Sequence, residues 1–274
     1  AVGSEWGLID SLGDFIIEPK YSKLTTLGDS VIGINKKGKY GVKNIFTNQE
    51  LGATFDKVDR FLDNYFVGYI GNKAGLFNIQ GDTLINPSYY KIYCQGNKSY
   101  ITAETDFEKV IFNREMDSLM AFPVRSNLKY FPKFVVNKLA DRYRQVYDKN
   151  GVFVDSIPRA VAYSISENIV GFEHYEDSQT VVVYYDDSAK VFPMNRYDFL
   201  SKDYLTITNG KGKKALFRTS GEQLTDFNYK AIGFNPRTKV FVYQGNKGAQ
   251  IGADGKLFNN EESYDYINFL SSKL

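Results

Sequence analysis

Few residues in this chain could do chemistry by themselves. Among 274 residues there is one histidine, His174, and one cysteine, Cys94. His174 lies in Phe172-Glu173-His174-Tyr175-Glu176-Asp177, where acidic neighbours would favour its protonated form and allow general-base work. The polar flanks favour a plainer reading, a solvated histidine in a turn after a strand. One histidine and one cysteine cannot make a zinc cluster of the His/Cys kind. A Ser-His-Asp triad assembles from distant residues, so spacing does not exclude it. No nucleophile-elbow sequence, however, marks any serine. The sequence therefore predicts no catalytic residues and no enzyme.

Two patterns imitate binding motifs. Gly210-Lys211-Gly212-Lys213-Lys214-Ala215 has the glycine spacing of a dinucleotide-binding loop. That loop needs a strand before it and a helix after it. Here the apolar Ala215-Leu216-Phe217 reads as another strand, so the segment is expected to be a hairpin turn, with no cofactor. Asp10, Asn44, Asn78, Asn113, Asp148 and Asp186 recur at one position of a repeat. They could ring a cation. Calcium loops carry more carboxylates at tighter spacing, whereas Asx turns that accept local N–H groups explain the whole column. No metal is expected. Asn97-Lys98-Ser99 fits a glycosylation acceptor, at a level close to background.

Lysine carries more information. Lys36, Lys37, Lys39, Lys73, Lys211, Lys213, Lys214 and Lys247 all fall in one class of predicted turn. If those turns share a face, a chain of net charge +2 still has a basic rim. Such a patch would concentrate and steer an anionic protein segment or polymer. Lysine also guards sheet edges against aggregation, which is the plain alternative. Sequence-specific nucleic-acid reading is not expected, because lysine holds phosphates without reading bases.

The elements that must position these residues are strands. Twenty-one Tyr and 21 Phe accompany only seven Pro, and helical periodicity is hard to find. Trp6-Gly7-Leu8-Ile9-Asp10, Tyr40-Gly41-Val42-Lys43-Asn44 and Ala74-Gly75-Leu76-Phe77-Asn78 follow one another at 34-residue intervals. Weaker copies place anchors at 110, 145, 183, 215 and 249. Fourteen residues after the anchor stands Tyr21, Phe55, Tyr89, Tyr197 or Tyr229, with Val124 and Arg159 in copies four and five. These aromatics are expected to be buried between units. Gly and Asn in the joints, as in Asn35-Lys36-Lys37-Gly38-Lys39, supply the positive φ of tight hairpins. The chain reads as a single all-β repeat domain, 1–274, of eight units of about 34 residues, each a meander of three or four strands.

The motifs Trp6-Gly7-Leu8-Ile9-Asp10 with Gly13, Gly38-Lys39-Tyr40-Gly41-Val42 and Ile16-Ile17-Glu18-Pro19-Lys20-Tyr21 resemble the WG-repeat, or KWG-repeat, family, found mostly in bacterial proteins. The last is echoed by Leu84-Ile85-Asn86-Pro87-Ser88-Tyr89. Copies one to three carry the resemblance well, and copies four to six only by register. The family is not tied to one activity.

Repeated antiparallel units of this kind predict a closed eight-bladed β-propeller, with an open β-solenoid as the alternative. For the propeller, residues from about 263 onward should pair with Glu5–Ile9. The functional expectation is a non-enzymatic binding or scaffolding module with a protein or anionic envelope partner. The alternative is a glycan-binding protein of a bacterial envelope that uses exposed Tyr and Trp. No apolar run approaches the roughly 18 residues of a membrane-spanning helix. A periplasmic, cell-surface or secreted location is weakly favoured, because the chain begins without Met.

Overall fold

The computed structural model describes residues 3–62, 64–95, 98–139, 142–174 and 179–235, with the backbone of 239–244, 247–251 and 257–258. Among the described residues there are strands and turns and no helix. The chain divides into two compact units, 1–126 and 127–274.

The first unit opens with a two-stranded sheet, β1 (Trp6–Ile9) and β2 (Phe15–Tyr21). Three four-stranded antiparallel sheets follow. They are β3 (Lys23–Thr26), β4 (Val31–Lys36), β5 (Lys39–Asn44) and β6 (Glu50–Phe55); β7 (Lys57–Arg60), β8 (Tyr65–Ile70), β9 (Lys73–Asn78) and β10 (Thr83–Tyr89); and β11 (Lys91–Gln95), β12 (Tyr100–Glu104), β13 (Glu108–Phe112) and β14 (Ser118–Pro123). Each pairs strands in chain order, as a meander of hairpins must.

The second unit continues with β15 (Asn127–Phe131), β16 (Phe134–Leu139), β17 (Tyr143–Asp148) and β18 (Phe153–Pro158). A six-stranded sheet then joins β19 (Ala160–Ser166), β20 (Ile169–His174), β21 (Gln179–Tyr185), β22 (Ser188–Phe199), β23 (Tyr204–Asn209) and β24 (Lys214–Arg218). The 12-residue β22 ends one copy and starts the next, with a register shift between Met194 and Arg196. A last sheet holds β25 (Ala231–Asn235), β26 (Lys239–Gln244), β27 (Lys247–Ile251) and β28 (Leu257–Phe258). The expected pairing of residues from 263 onward with Glu5–Ile9 lies outside the described residues.

The anchor glycine has a definite job. Trp6 pairs with Tyr21 and Leu8 with Ile17, so two steps along β1 span four along β2. Tyr40 with Phe55 and Val42 with Leu51 repeat this geometry, as do Ala74 with Tyr89 and Leu76 with Ile85. The outer strand bulges over the anchor by two residues. A Cβ on Gly41 would lie 2.3 Å from the Leu51 carbonyl oxygen, and one on Gly7 would lie 2.5 Å from that of Ile17. Backbone cannot yield as a side chain can, so this column takes glycine for its lack of a Cβ.

Copies four and five have Val110 and Gln145 at the anchor and no such bulge there. Lys109 pairs with Phe122, and Arg144 with Ile157. The buried apolar residue thus arrives two positions earlier than in copies one to three. This is why Val124 and Arg159 break the aromatic column.

That column needs two further corrections. Tyr21 and Phe55 are buried, at 2% and 4% exposure, but Tyr89, Tyr197 and Tyr229 are only half-buried. Tyr197 also belongs to the second half of β22, against Ile207, and not to an outer strand. The hairpins move one anchor as well. Closing pairs Lys36–Lys39 and Ile70–Lys73 stand two residues before Gly41 and Gly75. In the sixth copy Gly171 faces Val181 as Gly68 faces Gly75, which sets that anchor at Val181 rather than 183. Within each unit the core clusters join neighbouring copies. In one cluster Phe55 meets Phe66 edge-on at 5.3 Å and Phe77 at 4.8 Å, beside Val42 and Val58.

Candidate functional site

The predicted lysines sit on or beside the hairpins that join the second and third strands of a sheet. Lys36 and Lys39 close the β4–β5 hairpin. Between them Lys37 has φ 54° and Gly38 φ 85°, the paired left-handed conformations of a type I′ turn. The Gly38 N–H donates to Asn35 Oδ1 at 3.2 Å, which fixes the turn from its base. The β23–β24 turn is built likewise: Asn209 Oδ1 accepts from the Lys211 and Lys213 N–H groups, each at 3.0 Å, and Gly212 has φ 72°. The imitation of a dinucleotide loop is therefore a hairpin between strands.

Within the first unit these turns are tied edge to edge. The Lys39 ammonium pairs with Asp56 in the link between β6 and β7, and Asp56 Oδ2 accepts from the Gly71 N–H at 2.8 Å. Asp56 thus bridges the β4–β5 turn to the β8–β9 turn. Lys39 first, and then the Gly71 N–H, holds its carboxyl below the usual carboxylate range. One sheet further, the Lys73 ammonium lies 3.8 Å from the centre of the Tyr90 ring, a close cation–π contact. The Tyr90 hydroxyl donates to Asp106 of the β12–β13 turn at 2.6 Å. The three turns form one continuous edge.

The predicted lysines are not equivalent. Lys36, Lys37, Lys39 and Lys211 are exposed, whereas Lys73, Lys213 and Lys214 are half-buried. Lys214 pairs with Asp198 at 3.1 Å, and Arg196 and Lys214 together hold that carboxyl below its usual range. Lys247 begins β27, and its side chain lies outside the described residues. The linking residues Asp56, Tyr90 and Asp198 were not singled out by sequence. Their signal is a shared place: Asp56 and Tyr90 each stand 15 residues after an anchor glycine.

The other candidates resolve by geometry. Asp10 Oδ1 accepts from the Leu12 and Asp14 N–H groups at 2.8 and 3.0 Å. Asn44, Asn78, Asn113 and Asp148 each accept from N–H groups two to four residues further on. The Asx reading holds for these five copies. Asp186 differs: it and Asp187, with φ 51° and 55°, form a two-residue turn. His174 is half-buried at the end of β20, its Nε2 3.3 Å from Thr180 Oγ1, rather than in a solvated turn. Its neighbours Glu176 and Asp177 lie outside the described residues. Cys94 is half-buried in β11, where burial pushes its thiol up. Asn97 lies outside the described residues.

Comparison with known proteins gives three results. No curated protein matches the chain. Among solved structures, a eukaryotic initiation factor is 11% identical over 92% of this chain and 81% of its own, with a TM-score of 0.33. The computationally designed Ika8 protein is 16% identical over 89% and 86%, with a TM-score of 0.29. The family model described as "WG containing repeat" matches residues 6–40, which run from the first anchor to the residue before Gly41. That segment holds the complete Trp-Gly motif, its Asx turn and the bulged Pro-Lys-Tyr strand, and it is similar to a WG-containing repeat.

Proposed function

We propose that this chain is a non-enzymatic binding or scaffolding module whose eight units close into one propeller, and that it holds an anionic partner through its basic turns. The partner class is an acidic protein segment or an anionic envelope polymer. One observation carries the reading: Lys36 and Lys37 project exposed from a rigid turn, on an edge that Asp56 and Tyr90 tie together. Lys211 extends the same chemistry in the second unit. A preorganised row of ammonium groups raises local anion concentration at little ordering cost.

The test is anisotropy of a labelled poly-glutamate peptide. Binding is expected at low salt and should fade as salt shortens the reach of exposed charge, about 10 Å at 0.1 M. Lys36→Glu with Lys37→Glu should abolish most of it with the fold intact. Lys214 is unsuitable for charge reversal, because a glutamate there would face Asp198. Full binding by the double variant would refute the reading.

A glycan site is the second reading, and it has its own observation. Trp6 and Phe15 are 52% and 51% exposed on the two-stranded sheet β1–β2. The single tryptophan makes the check simple: a neutral oligosaccharide that shifts Trp6 fluorescence saturably would favour it, and an unchanged spectrum would dismiss it.

A further inference from the structure

We infer that a cavity in the second unit, between the sheet β15–β18 and strand β19, is a binding site for a phosphate-type oxyanion. The cavity has a volume of about 220 Å³ and is walled by Asn127, Lys129, Val136, Lys138, Arg144 and the run Ala160–Ala162. Ligand pockets for drug-sized molecules span roughly 300–1,000 Å³. This one suits a single charged group.

Its charge is one-sided. Three of the lining side chains are cations and none is a carboxylate. Their placement follows from strand register. Asn127 pairs with Lys138, and Lys138 with Arg144, so these three form one row across three strands. Lys129 lies two residues along β15 on the same face as Asn127.

Arg144 carries the inference. It is 7% exposed, a depth at which a charged group needs compensation. Its described hydrogen bond runs from Nη1 to the neighbouring Tyr143 carbonyl oxygen at 3.2 Å. A guanidinium has five N–H donors in a planar fork. One neutral carbonyl takes one of these donors, the side chain lines the cavity, and a bidentate oxyanion matches the fork. Lys129 reaches across the mouth, where its ammonium donates to the Ala162 carbonyl oxygen. The opposite wall is small, because Ala160 and Ala162 add only methyl groups to it. The apolar core of Phe134, Val136, Val146 and Phe172 lies below and keeps water from screening the site from that side.

The experiment is calorimetric titration of the whole chain at low ionic strength with inorganic phosphate, and separately with O-phosphoserine. Saturable one-to-one binding is expected, with a phosphate-dependent rise in melting temperature by mass action. Tighter binding of the monoester would assign the site to a phosphate end group, and equal binding to the free ion. Arg144→Gln should weaken binding about tenfold or more, the scale of a charged hydrogen-bonded contact. Should Arg144→Gln fail to fold, Lys129→Met, at an exposed position, should still weaken it several-fold. Lys36→Glu with Lys37→Glu, remote in sequence and in the other unit, should leave it unchanged, which separates this site from the basic turns. Absence of saturable binding, equal affinity in Lys129→Met and the parent, or equal loss in the Lys36/Lys37 variant would overturn the inference.

Discussion

The sheet β7–β10 and the sheet β15–β18 have the same strand number and order, yet they seat the outer strand in different ways. In the first, β10 bulges over Gly75, and Tyr89 reaches its place 14 residues after the anchor. In the second, β18 runs evenly past Gln145 until it nears the turn, and Ile157 reaches the matching place after 12. Both routes put an apolar side chain against the core. The repeat thus conserves a position in space, and two kinds of local chemistry satisfy it. Glycine with a bulge permits a large aromatic. A side chain at the anchor demands regular pairing and a shorter return.

The largest effect should come from the aromatic in a bulged copy. Phe55→Ala removes a ring buried among Phe66, Phe77 and Val58, and should cost about 3–5 kcal/mol in a denaturant titration. Tyr89→Ala, at a half-buried site, should cost clearly less. Equal losses would show that burial does not separate the two positions. Gly41→Ala tests the bulge itself. Its Cβ would meet the Leu51 oxygen at 2.3 Å, so about 1–3 kcal/mol of overpacking is expected. Gln145→Ala in the regular copy should lose only hydrogen bonds to Asn137 and Tyr147, about 1 kcal/mol.

Smaller effects test the turns and the charges. Asn113→Ala should cost about 1 kcal/mol by freeing the Asp117 N–H, read as a shifted unfolding midpoint. Alkaline titration distinguishes the buried tyrosines. Burial first, and then Glu50, pushes the Tyr21 hydroxyl up to about 12; burial and Asp59 do the same for Tyr69. A folded-state value above the unfolded one means stability is full below about pH 10 and falls as pH rises from 10 to 12. Tyr21→Phe should flatten part of that fall. A parent curve with no decline there would contradict the assignment. Least of all, Lys39→Gln should leave the unfolding midpoint nearly unchanged, as for other exposed ion pairs.

Much of this was legible in the residues. Gly7, Gly41 and Gly75 mark the register because backbone crowding admits nothing larger. The Asx column is legible because its side chains bond to their own turns, so its chemistry is local. The sixth anchor was misplaced because Val181-Val182-Val183-Tyr184-Tyr185 offers a strand pattern with no landmark residue. Only the hairpin pairing fixes it. Among the lysines, the turn is legible from the residues but the depth is not. Lys214 and Lys36 look alike in sequence, but Lys214 is half-buried beside Asp198 and Lys36 is exposed. The cationic cavity was illegible for the same reason: Lys129, Lys138 and Arg144 meet only through strand register.

The most direct measurement of the functional proposal compares added negative charge at two places on one sheet. Poly-glutamate affinity would be measured at low salt for Lys36→Glu with Lys37→Glu, and for Thr26→Glu, an exposed position at the end of β3 opposite Ile32 and away from that turn. Both alter charge, but only the first touches the turn edge. The expected result is loss of most binding in the turn variant and near-parental affinity in the strand variant. Equal losses per unit of charge changed would mean that net charge, and not the edge of basic turns, attracts the peptide.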